Sequence, residues 1–244
     1  MTHDFTFKRV MIKLTGESFN QANEKGLNFD VVDAVSRGLL EMRERTGYEM
    51  AIVVGGGNLY RGREANTQVD KATADYIGML ATIMNGLALE ESINRLDKKR
   101  TAILMTAIQM NAVAETFYRK TALARLEKNR IVILAGGTSS PFFTTDSAAA
   151  LRAAELNCNI ILKCSTTDGV YTSDPDQNSE AQKYKYLNYQ TALEKHLKVM
   201  DSNAFAICQN EKIPILVFKA EDLGRVLGGE KLGTMVADVP DEMF

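Results

Sequence analysis

IVILAGGTSSPFFTTDSAAALRAAELN, residues 131–157, is the stretch whose reading decides the fold. Its first five residues are apolar and rich in β-branched side chains, the length and composition of a fully buried strand. Gly136 and Gly137 break the run. Asp146 reads as an N-cap ahead of Ser147 and an alanine-rich helix that reaches Leu156. Strand, loop and helix in that order form the unit of a parallel sheet. The loop sets Thr138, Ser139, Ser140, Thr144 and Thr145 around Pro141, Phe142 and Phe143. Hydroxyls, free backbone N–H groups and a helix start suit an anion and a polar ring, and ligands of open parallel sheets collect at such strand ends. A plainer reading fits as well: an ordinary connection whose two phenylalanines plug the core.

The same alternation spreads outward in both directions. Residues 8–15, 50–54 and 101–105 read as strands, as do 159–162, 213–218 and 234–237. Helical stripes fill 30–46, with Asp30 as N-cap and Gly47 just past the end, and 69–96, with Ala72, Tyr76, Met79, Ile83 and Leu87 on one side. Further helices are expected over 118–128, 189–197 and 201–210, and 165–178 is polar and turn-rich. Strands alternating with helices predict an α/β chain with a mainly parallel sheet sandwiched by helices.

Bulk properties exclude several classes. At 244 residues the chain is one large domain or two small ones, and 45% hydrophobic residues suffice for a core. A net charge of −2 leaves no basic footprint for nucleic acid or membrane. No apolar run approaches the ~20 residues of a membrane span, and MTHDFTFKRV lacks a signal-peptide core, so a soluble, cytoplasmic protein is expected. Cys158, Cys164 and Cys208 are too scattered for a paired metal or redox site and read as small apolar residues. His3 and His196 both lie in polar surroundings, which argues against a histidine relay.

Four strand ends carry small or charged residues: 13–16, 55–58, 136–145 and 163–168. In a parallel sheet they converge on one edge. Glycine-rich turns there let backbone N–H groups approach phosphate oxygens, and Lys13 and Lys163 supply positive charge. That is the inventory of phosphoryl transfer, although the GxxxxGK[ST] and GxGxxG motifs are absent. Asp146 and Asp201 each carry two readings, a helix cap alone or a cap whose carboxylate also orients a lysine or Mg²⁺. DGVYTSDPD at 168–176 suits gripping a base and ribose, as well as an ordinary surface turn.

Lys13-Leu14-Thr15-Gly16-Glu17, GGGNLYRG at 55–62, DYIGMLATIMNGLAL at 75–89, PFFTTDSAAALRAAE at 141–155, DGVYTSDP at 168–175 and LKVMD at 197–201 closely resemble the bacterial UMP kinases, a branch of the amino acid kinase family. The resemblance runs in order and nearly end to end. It implies a three-layer αβα sandwich, with residues 1–160 as an acceptor half and 161–244 as an ATP half of one domain. It implies transfer of the γ-phosphoryl of Mg·ATP to UMP, with Mg²⁺ carried by ATP and no direct protein ligand. Catalytic roles pass to Lys13, Asp146, Lys163 and Asp201. ATP contacts pass to Lys13, Leu14, Thr15, Gly16, Gly57, Arg61, Ser165, Tyr171 and Asp174. UMP contacts pass to Gly56, Asp75, Thr138, Ser139, Ser140, Pro141, Phe142, Phe143, Thr144 and Thr145. A homohexamer and control by nucleotides such as GTP and UTP are implied too.

The family usually reads GTGNPFFTTD, and this chain reads GTSSPFFTTD. Ser139 replaces a glycine and Ser140 an asparagine expected near the uracil. Ser165 stands where threonine is common. Two rival readings are a same-fold kinase of a carboxylate or carbamate, which would lack the PFFTTD loop and Asp75, and a nucleotide sensor or anion-storage protein, which would lose Lys13 or Asp146.

Overall fold

The computed structural model describes residues 7–21, 25–61, 69–175, 177–227, 230 and 232–244. His3, Gly62 and Asp176 lie outside the described residues. In chain order the strands are β1 (Arg9–Leu14), β2 (Glu49–Val54), β3 (Ala102–Thr106), β4 (Glu115–Thr116), β5 (Ile131–Ala135), β6 (Ile160–Ser165), β7 (Tyr184–Asn188), β8 (Ile215–Lys219), β9 (Thr234–Ala237) and β10 (Glu242–Met243). The α-helices are α1 (Phe29–Thr46), α2 (Lys71–Leu96), α3 (Arg119–Glu127), α4 (Thr145–Glu155), α5 (Tyr189–Glu194), α6 (Ser202–Asn210) and α7 (Leu223–Leu227), with 3₁₀ turns at Gly16–Phe19 and Ala220–Asp222.

All the strands join one sheet in the order β10-β7-β9-β8-β6-β1-β2-β5-β3-β4. Pairings from β4 to β8 are parallel, while β9 runs antiparallel to β8 and β10 antiparallel to β7. β1 lies near the middle, and its alternation feeds both cores. Val10, Ile12 and Leu14 join a cluster with α1, α2 and α7, whereas Met11 joins one with α3, α4, α5 and α6. Strands buried on both faces explain the continuous apolar runs of the sequence. The result is the three-layer αβα sandwich.

Several elements start differently from the reading of the sequence. Asn28, not Asp30, caps α1, accepting from the N–H groups of Asp30 and Val31. Gly47 closes that helix in the left-handed conformation at φ 68°, as expected. Thr144, not Asp146, caps α4, which frees the Asp146 carboxylate for other work. α2 begins at Lys71 behind an Asp70 cap, and the stripe drawn along it is not one buried face. Met79 and Ile83 are buried, but Tyr76 and Leu87 are exposed with Ile77, Leu80 and Met84. The helix therefore has two apolar faces. YKYLN at 184–188 supplies β7, a strand missed because it sets lysine between tyrosines. All three cysteines are buried and free, and burial pushes each thiol up to about 12.

The cap assignment is testable by urea denaturation. Asn28→Ala should cost about 1 kcal/mol, the usual loss of an N-cap side chain. Asp30→Ala removes only a charge from the first turn and should cost about 0.3 kcal/mol. The reverse ranking would return the cap to Asp30.

Candidate active site

Lys13 and Lys163 are direct neighbours on the adjacent parallel strands β1 and β6. Both point to the α4 side, since they alternate with residues of the opposite core. Lys163 sits inside β6 rather than at its end, with Cys164 and Ser165 continuing the strand. Their side chains are only 10% and 12% exposed, so neither is a solvated strand-end lysine. α4 lays Asp146 across the pair: Lys13 Nζ lies 3.0 Å from Oδ1 and Lys163 Nζ 2.8 Å from Oδ2. Burial pushes the Asp146 carboxyl up, but the charges of Lys13 and Lys163 and their hydrogen bonds outweigh it and hold the group below its ordinary range. Burial pulls the Lys163 ammonium below its ordinary range, assisted by Lys13 and opposed by Asp146.

Asp201 completes the cluster from α6. It caps that helix by accepting from the N–H groups of Asn203 and Ala204. It also accepts from Ser147 Oγ at 2.9 and 3.0 Å and from Thr144 Oγ1. Lys163 donates to the Val199 carbonyl just upstream. Two helix N-termini are thus tied together beside the lysines, and their partial positive ends favour an anion there.

The glycine turn after β2 is held from two sides. A Cβ on Gly16 would come within 2.4 Å of Gly57 N, and one on Gly56 within 2.9 Å of Ala81 Cβ, so only glycine fits at either place. Asn85, fully buried on α2, donates to the Gly55 carbonyl and exchanges amide hydrogen bonds with Asn58. Asn58 in turn donates to the Gly26 carbonyl. Asn58 and Asn85 carry no chemistry of their own. They were missed because an asparagine in a turn or on a helix gives no sequence signal until its neighbours are known.

The 136–145 loop is strained and pinned. Gly136 and Gly137 have φ of 79° and 58°, and Ser139 and Phe142 follow at 65° and 70°. The glycine replaced by Ser139 therefore stands where left-handed backbone favours glycine. Thr82 Oγ1 accepts from Gly136 N, and Asp75 Oδ2 accepts from Phe142 N at 2.8 Å. Lys71 ion-pairs with Asp75 at 3.0 Å and lies 5.4 Å over the Phe142 ring. Phe142 and Phe143 are 63% and 48% exposed, which rules out the core-plug reading. Thr138 Oγ1 bonds both N–H and C=O of Ser140.

Of the residues expected at ATP, Leu14, Thr15, Gly57, Arg61 and Ser165 share one cleft of about 780 Å³. Arg61 bonds the Gly57 carbonyl and pairs with Glu17 there. Tyr171 and Asp174 do not line it. Tyr171 donates to Asp168, and Asp174 accepts from Gln177 on an exposed turn.

A buried lysine pair on neighbouring parallel strands, bridged by an aspartate and set beside two helix N-termini, defines a phosphotransferase that works by placing charge. The chain belongs to the Amino acid kinase family, whose profile matches residues 8–219. The crystal structure of UMP kinase from Bacillus anthracis superposes with a TM-score of 0.92 at 35% identity, covering 98% of this chain and 99% of that one. UMP kinase from Ureaplasma parvum superposes at 0.88 and 36% identity, covering 96% and 100%. Carbamate kinase from Giardia lamblia, at 14% identity and 0.69 over 96% and 99%, shares the fold.

Asp146→Asn should lower stability at pH 7 by about 3 kcal/mol, because it leaves two buried ammonium groups without an anion. The carboxyl is held below its unfolded value, so its contribution is complete above about pH 4 and is lost as pH falls through the lower folded value. Denaturant titrations at stepped pH should show a constant parent–variant gap down to about pH 4 that closes in stronger acid. A gap that widens in acid contradicts the ion triad.

Proposed function

We propose that this chain transfers the γ-phosphoryl group of ATP to UMP, giving UDP and ADP for pyrimidine nucleotide synthesis. The observation that carries the reading is the Lys13–Asp146–Lys163 triad set beside the pinned 138–145 loop. The Bacillus and Ureaplasma neighbours, titled UMP kinases, support the acceptor. Residues 1–160 take UMP through Gly56, Asp75 and the 138–145 loop. Residues 161–244 take the nucleoside of ATP through Ser165, Tyr171 and Asp174, while Lys13 to Gly16, Gly57 and Arg61 meet its phosphates.

The second ionisation of a phosphate monoester lies near pH 6, so the UMP phosphate arrives as a nucleophile and needs no general base. Its oxygen forms a bond to the γ-phosphorus as the bond to the β-bridging oxygen breaks and ADP leaves. Lys13 and Lys163 face the charge on the transferred group. Asp146 keeps both ammonium groups aimed, and Asp201 holds the two helix N-termini in register. Mg²⁺ supplies charge neutralisation on the triphosphate. Among the described residues no group of three or more His, Cys, Asp or Glu is placed to hold a metal. Both Asp146 oxygens are engaged by lysines, and in this reading Mg²⁺ would arrive with ATP.

Asp75 and the exposed loop are what a carboxylate or carbamate kinase would lack, and the Giardia likeness extends to the fold alone. A sensor without turnover would have no use for the intact triad. The exposed apolar stripe of Tyr76, Ile77, Leu80, Met84 and Leu87 on α2 supports assembly with further copies, here a homohexamer. A second cleft of about 750 Å³, lined by Arg100, Tyr118 and Arg130, supports effector nucleotides such as GTP and UTP away from the lysines. No helix among the described residues is long and apolar enough to cross a membrane.

Lys13→Ala should lower kcat by ~100-fold or more in a folded protein, the scale of losing one preorganised charge donor. An unchanged kcat removes Lys13 from the reaction. Turnover should favour UMP strongly over CMP, because a site that hydrogen-bonds one edge rejects an analogue lacking it. Comparable turnover would sink the acceptor assignment. Ser140→Asn should tighten UMP by up to about tenfold with kcat little changed, if Ser140 now reaches the base through a water. A raised KM for UMP means instead that the loop has been reshaped around serine.

A further inference from the structure

The geometry points to residues 239–244 as a latch that sets the nucleotide loop 168–174 through Lys183. The inference rests on the reading of Tyr171 and Asp174 as ATP contacts.

Asp168 is the pivot of the loop. Lys183 Nζ donates to its Oδ2 at 2.8 Å and Tyr171 OH to its Oδ1 at 2.8 Å. Burial pushes the Asp168 carboxyl up, and these two partners more than offset it. Lys183 also fills the space over Gly169, where an added Cβ would lie 2.6 Å from its Cε. The backbone repeats the link: Tyr171 bridges Lys183, Thr172 N donates to Gln182 O, and Tyr184 N donates to Val170 O. Where β7 begins therefore decides where Tyr171 points.

The latch closes on this same segment from the other side. β10 pairs antiparallel with β7, matching Glu242 with Tyr186 and Met243 with Tyr184. Asp241 accepts from Asn188 N at 2.7 Å and from Thr191 Oγ1 at 2.8 Å. Asn188 Nδ2 donates to Val239 O, and Lys185 pairs with Glu242. Phe244 N donates to Lys183 O, and its ring lies 4.9 Å from Lys183 Nζ, within cation–π range. One lysine is thus held between an aromatic face on the latch and a carboxylate on the loop. Held there, it has fewer rotamers from which to reach Asp168, so Asp168 and Tyr171 are preorganised before nucleotide arrives.

Phe244→Ala tests this in the chain of 244 residues. It should raise KM for ATP about fivefold, the scale of one partly desolvated cation–π contact. KM for UMP and kcat should stay at the parent values, a split that general destabilisation would not produce. Phe244→Tyr, which keeps the ring face, should restore KM for ATP. Hydrogen exchange without nucleotide should quicken at Thr172 and Tyr184 in Phe244→Ala. An unmoved KM for ATP, or equal losses in both KM values and kcat, overturns the latch. Tyr171→Ala is measured beside these variants. If it leaves KM for ATP unchanged, the nucleotide-loop reading itself fails. If it raises KM while Phe244→Ala does not, the latch alone fails.

Discussion

Two ammonium groups on neighbouring strands, shut away from bulk water, need an anion between them. Asp146 is that anion, and much of the site follows from the need. A lone buried lysine would lose its proton or its place. With the carboxylate between them both lysine side chains are directed at one point. The demand reaches back into local structure. Were Asp146 the cap of α4, its carboxylate would be spent on backbone N–H groups. Thr144 takes the cap instead, and the same threonine reaches Asp201 on the next helix. One electrostatic requirement thus fixes the start of α4, its tie to α6 and the register of β1 against β6.

The 136–142 loop relies on strain rather than charge. Four of the seven residues from 136 to 142 hold positive φ, and two of them carry side chains. Such backbone persists only where its surroundings over-determine it. α2 provides that through Thr82 at the start of the loop and Asp75 at Phe142. A loop pinned in this way has less conformational freedom left to lose, which is how preorganisation favours binding.

The sheet was legible because buried parallel strands are apolar on both faces, and runs such as 131–135 admit few other readings. The lysine pair was legible for a related reason. A charged residue inside or at the end of such a run has to be explained. Caps were less legible. Asn28 and Asp30, or Thr144 and Asp146, are all good capping residues two positions apart, and only backbone angles choose between them. β7 was hidden because it sets lysine between tyrosines. Asn58 and Asn85 were hidden because their role exists only once a turn and a helix far apart in sequence meet. Tyr171 and Asp174 were read from a turn-rich loop and from resemblance, and they stand apart from the cleft lined by Leu14, Thr15, Gly57, Arg61 and Ser165.

α2 deserves to be seen as a beam. At 26 residues it runs about 39 Å. Its inner side touches the glycine turn through Asn85, the loop entrance through Thr82 and the strained phenylalanine through Asp75. Its outer side is the apolar stripe. Anything that covers the stripe bears on the same helix that holds the glycine turn, the entrance of the 136–142 loop and Phe142. By linkage, a partner favouring one tilt of the beam would raise acceptor affinity, and acceptor would tighten that partner's grip by the same factor. Substrate affinity would then depend on protein concentration.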